Sequence, residues 1–138
     1  MSDDILDPHS ALIYIMVLIS AADSNMTDRE MKRIGDQVTN LPVFADFDPE
    51  KLVPLAEECA GHLAREGGLD QVMDLIVASL PARLSETAYA IACEIAAADL
   101  HVEQEELQLL QHLRDRLELD RLVAAAIERA VRARHATA

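Results

Sequence analysis

A chain that states one helical plan twice has few ways to fold. Residues 11–34 laid over residues 87–110, an offset of 76 (87 − 11), align A-L-I-Y-I-M-V-L-I-S-A-A-D-S-N-M-T-D-R-E-M-K-R-I with T-A-Y-A-I-A-C-E-I-A-A-A-D-L-H-V-E-Q-E-E-L-Q-L-L. Each copy is an apolar stretch ending in Ala-Ala, then an Asp, three variable residues, a helix start, and a Glu seven positions after the Asp. An apolar helix cannot cover its own surface, so two such units are stable when stacked on one another. The duplication predicts two helical hairpins related by a pseudo-twofold axis, with the apolar helices in contact at the centre.

Helix punctuation fills in the rest. Asp7-Pro8 supplies an N-cap and a first-turn proline whose missing N–H is no loss, so a first helix is expected from Pro8 to about Ala22. A second runs from Thr27 to about Asn40, with Met31, Ile34, Val38 and Leu41 on one stripe. Asp48-Pro49 opens a third, reaching about Arg65, which Pro54 bends or restarts because it cannot donate to the Glu50 carbonyl. Gly67 and Gly68 end it. A short fourth helix over Leu69 to Ser79 turns Val72, Leu75, Ile76 and Ser79 one way, and Pro81 separates it from a fifth over Ala82 to Ala98. From Thr87 onward the fifth is apolar nearly all round, the mark of a helix enclosed by others. A sixth covers about Glu103 to Leu117, and a seventh, capped by Asp120, reaches about Arg134. The expected fold class is all-α: about seven helices in a compact bundle, one domain over residues 1–138 with its core at about 8–130, a length that buries a single core.

Charge narrows the partners. Twelve Lys and Arg against 25 Asp and Glu give a formal charge of −13, which disfavours nucleic acid and anionic membranes and leaves cations or basic proteins. Residues 23–30 contribute −2 and residues 99–106 contribute −4, so the excess concentrates in the two repeated turns. Cys59 and Cys93 show neither CxxC spacing nor a disulfide framework, so a reducing compartment and buried, inert thiols are expected. No basic residue precedes the apolar run Ala11–Ala22, and twelve residues are too few to span a bilayer, so a cytoplasmic location without a membrane span is expected. Glu94 is the one acid within the apolar fifth helix and needs a partner such as Arg83 or Arg33, or an edge position reaching water. Arg129, Arg132 and Arg134 suit the dipole at the end of the last helix. Nothing resembles a nucleophile with a placed base or a phosphate-cradling loop, so catalysis has no candidate site and the chain is read as a non-enzyme.

The repeated octets carry the chemistry that remains. Asp23 falls just past one helix and Glu30 in the first turn of the next, so a tight turn can bring both carboxylates around a hard cation; Asp99 and Glu106 repeat the arrangement. Asp23, Asn25 and Thr27 stand at the alternating offsets of oxygen ligands, and Glu103 and Glu105 add acids to the second octet. The same residues also fit a plain structural role. Thr27-x-x-Glu30 is a capping box, and acids in a first helical turn are favoured by the macrodipole by about 0.3 to 1 kcal/mol each. On that reading the protein is an interaction adaptor whose exposed groove takes a partner helix.

The strings A-A-D-S-N-M-T-D-R-E-M and L-P-V-F in the first half, with E-T-A-Y-A-I-A-C-E-I-A-A-A-D-L-H-V-E-Q-E-E-L in the second, resemble the tellurite-resistance TerB family, which is itself similar to the N-terminal domain of the DnaJ-like co-chaperone DjlA. The resemblance covers roughly residues 8–130. It implies an all-helical cytoplasmic domain, linked to tellurite resistance or general stress, that binds a divalent cation through Asp23, Glu30, Asp99 and Glu106; their oxygen-only donors point to calcium or magnesium. Family members commonly place Gly after each Asp, where this chain has Ser24 and Leu100; His101 offers a further ligand or a solvated side chain.

Overall fold

The computed structural model describes residues 5–21, 26–98 and 104–138, with side chains in the last stretch from residue 106 onward. Among the described residues seven α-helices follow one another: α1 (Pro8–Ser20), α2 (Asp28–Asn40), α3 (Leu52–Leu63), α4 (Gly68–Ser79), α5 (Ser85–Ala97), α6 (Gln104–Arg116) and α7 (Arg121–Arg134). Among the described residues there is no strand.

The start of α1 is the expected one: Asp7 accepts from the Ser10 N–H at 2.8 Å and Pro8 occupies the first turn. Every residue from Ser10 to Ser20 is buried, because α3, α4 and α5 pack around α1 while α2 and α6 close its remaining sides. The sequence singles out α5 as the enclosed helix, yet α1 is enclosed more completely, and α5 leaves Ala90 and Ala97 partly open. The two apolar helices do meet at the centre. On α2, Ile34 and Val38 are buried and Met31 and Leu41 pack beside them, as the stripe requires.

The duplication reaches further than a hairpin. Helix α3 packs along α1 as α7 packs along α5, so the repeated unit is a triad, α1–α2–α3 and α5–α6–α7, with α4 packed on α1 and α3.

Local chemistry explains the joints. A 3-10 turn over Pro49–Lys51 leads into α3, so Pro54 falls in the first turn, where its missing N–H has no intrahelical partner to lose. A second 3-10 turn over Ala82–Leu84 delays α5 to Ser85. Gly67 turns the chain in a left-handed conformation at φ 72° that strains any side chain, and a Cβ on Gly68 would sit 2.1 Å from the His62 carbonyl oxygen, so only that second position lacks the room. His9 pins the α2–α3 connection: its Nε2 lies 2.8 Å from the Val43 carbonyl and 3.4 Å from Asp46, with its ring between Phe44 and Phe47. No helix among the described residues is long and apolar enough to cross a membrane.

Candidate functional site

Of the four acids drawn from the repeated turns, Glu30 and Glu106 are described; Asp23 and Asp99 lie outside the described residues, as do Asn25, His101 and Glu103. Glu30 is the third residue of α2 and Glu106 the third of α6, so the repeat places both at one position in their hairpins. Glu30 completes a capping box: its Oε1 accepts from the Thr27 N–H at 2.8 Å, while its own N–H donates to Thr27 Oγ1 at 3.1 Å. That leaves Oε2 without a partner among the described residues. Glu106 differs, being 3% exposed and partnered. Among the described residues no group of three or more His, Cys, Asp or Glu gathers as a metal site.

A second pair of features recurs in the two triads, out of register with the repeat, and escapes sequence reading. Tyr14 on α1 donates to Glu58 on α3 at 2.5 Å, and Tyr89 on α5 donates to Glu128 on α7 at 2.6 Å. Burial, reinforced by each carboxylate, holds both phenols well above their ordinary range. A cysteine accompanies each clamp. Cys59 donates to the Tyr14 carbonyl at 3.8 Å and is pushed up to about 12, first by burial and then by Glu58. Cys93 is pushed up to about 11, again first by burial, with the Tyr89 hydroxyl pulling down and Glu128 and Glu94 pushing up. Both thiols stay protonated at neutral pH, so neither supplies a thiolate nucleophile. The usable signal in the sequence is that its two tyrosines fall 75 residues apart (89 − 14), one short of the repeat offset.

The partner of Glu94 is neither Arg83 nor Arg33. This carboxylate, 8% exposed, takes His135 Nε2 at 2.6 Å on Oε1, and Arg134 stands 2.6 Å from Oε2 in an ion pair without hydrogen-bond alignment. The turn of helix that ends α7 comes back over α5, which the linear sequence gives no reason to expect. Arg134 therefore neutralises a buried acid beyond any dipole role.

Around the second clamp, α5, α6 and α7 leave a cleft of about 680 Å³ that also exposes Arg114, Arg132 and His135. Arg114 donates to Glu128 Oε2 at 3.2 Å, so that one oxygen serves both the phenol and the guanidinium. Around the first clamp a smaller cleft, about 550 Å³, is lined by Glu58, His62 and Arg65.

Compared with known families, residues 9–129 match the model of the tellurite resistance protein TerB, and the chain belongs to that family. No curated protein and no solved structure matches it.

Proposed function

We propose that this TerB-family chain is a non-enzymatic module whose two repeated turns, Asp23 with Glu30 and Asp99 with Glu106, take a divalent cation, calcium or magnesium, in the cytoplasm during tellurite or related stress. The observation that supports the reading is positional: Glu30 and Glu106 occupy the same third residue of the second helix in two copies of one hairpin. Oxygen-only donors suit hard cations. Capping and cation binding are compatible at Glu30, because the cap uses Oε1 alone.

Calorimetric titration of the full chain with calcium and with magnesium tests it. Heat that saturates in the wild type and vanishes when Asp23, Glu30, Asp99 and Glu106 are all changed to Ala supports the proposal. No saturable heat up to millimolar metal, or the same heat in the fourfold variant, overturns it.

The capping box itself favours a second reading, the adaptor whose acids only start helices. Melting separates the two. A cation that binds the native state raises Tm with concentration, whereas an adaptor loses stability in Glu30→Ala with no response to metal.

A further inference from the structure

We propose that the cleft between α5, α6 and α7 binds an aliphatic monocarboxylate, tail inward and head at Arg132. Its volume of about 680 Å³ lies within the range of small-ligand sites. Ala96 and Val131, both buried, form the inner wall with Leu110, while Leu107 stands half-exposed at the mouth. The interior thus offers an apolar wall beside the closed Tyr89–Glu128–Arg114 cluster, and Arg132 stands exposed outside, an order that an amphiphile enters tail first.

Charge selects the head. In the lining, Glu128 is already held by Tyr89 and Arg114, and His135 is held by Glu94, which leaves Arg132 as the lining cation with no ion pair among the described residues. Arg114 and Arg132 against Glu128 make the lining formally positive, with histidines neutral, on a chain of −13. A carboxylate finds its counter-ion there, and an ammonium finds only a carboxylate with two donors already in place. The cleft at the first clamp has no such bias, since Glu58 and Arg65 cancel. None of these residues belongs to the acidic turns, so the inference is independent of the cation reading.

Decanoate below its micelle concentration is the probe, titrated into the full chain and followed by backbone amide NMR shifts, with decanol and acetate as controls. Decanoate is expected to saturate in the micromolar to low millimolar range, with shifts confined to α5, α6 and α7. Acetate lacks the tail and decanol lacks the charge, and each is expected to bind about tenfold more weakly or not at all, the weight of roughly one lost charge-assisted contact for decanol. The exposed change Arg132→Glu should weaken decanoate by about tenfold while lowering Tm only slightly, the loss expected for a reversed charge in the last turn of α7. Ala97→Trp should fill the cleft and abolish binding. Equal affinity for decanol and decanoate, shifts scattered over the surface, undiminished binding in Arg132→Glu, or no saturation with decanoate would each overturn the proposal.

Discussion

The triads α1–α2–α3 and α5–α6–α7 share one plan and finish it differently. Both carry a tyrosine from the apolar helix to a glutamate on the third helix, with a protonated cysteine alongside. In the first triad Glu58 has no cationic partner among the described residues, and Glu30 caps α2 at the surface through Oε1. In the second, Arg114 joins the clamp, Glu106 is buried, and the helices part to leave the larger cleft. The two triads share the clamp that ties their first and third helices together and differ in what surrounds it.

Equivalent substitutions probe how far the equivalence goes. Ile15 and Ile91 occupy one place in the alignment and both are buried. Ile15→Ala should cost about 2 to 5 kcal/mol in denaturant unfolding and Ile91→Ala the lower end of that range, because α1 is covered on more sides. Equal losses would mean that the triads are interchangeable in the core. Alkaline unfolding comes next. Both thiols ionise near 9 when unfolded, but natively at about 12 for Cys59 and about 11 for Cys93. Folding therefore holds their protons, so this stability is complete below pH 9 and falls as pH rises through the native values. Cys59→Ala and Cys93→Ala should each flatten that fall in stability measured from pH 8 to 11, and equal flattening would mark the two thiols as equivalently buried. A charge-assisted bond then separates the clamps: Tyr14→Phe should cost about 1 to 2 kcal/mol and Tyr89→Phe less, since Arg114 still holds Glu128. Smallest is Thr27→Ala, about 1 kcal/mol by thermal melting for the lost cap, an effect on the first triad alone.

What the sequence made legible was local. Asp7-Pro8 and Thr27-x-x-Glu30 announce helix starts because the groups that satisfy the first-turn donors lie within a few residues. The spacing of Ile34 and Val38 gives the buried face of α2 for the same reason. Glu94 shows where that stops. Its partners His135 and Arg134 are about forty residues away and depend on where α7 crosses α5, a property of helix packing and not of any window of sequence. The clamps were hidden likewise, since Tyr14 and Tyr89 read simply as apolar members of apolar helices until a carboxylate on another helix meets each hydroxyl. For the candidate site, the repeat gave Glu30 and Glu106 their equivalent places, but that one would cap a helix in the open and the other lie buried was set by their surroundings.

The depth of α1 has a consequence in time. Its residues Leu12 to Ile19, eight in a row without a charge, leave the ribosome well before their cover is complete, since that cover includes α5, which ends at Ala97. At roughly 5 to 20 residues per second, the chain waits several seconds with that surface uncovered. During synthesis α1 is therefore a sticky peptide before it is a core, open to holding chaperones and to α1 of a neighbouring nascent chain. The contact that removes most of what is left exposed is the one with α5, its own duplicate.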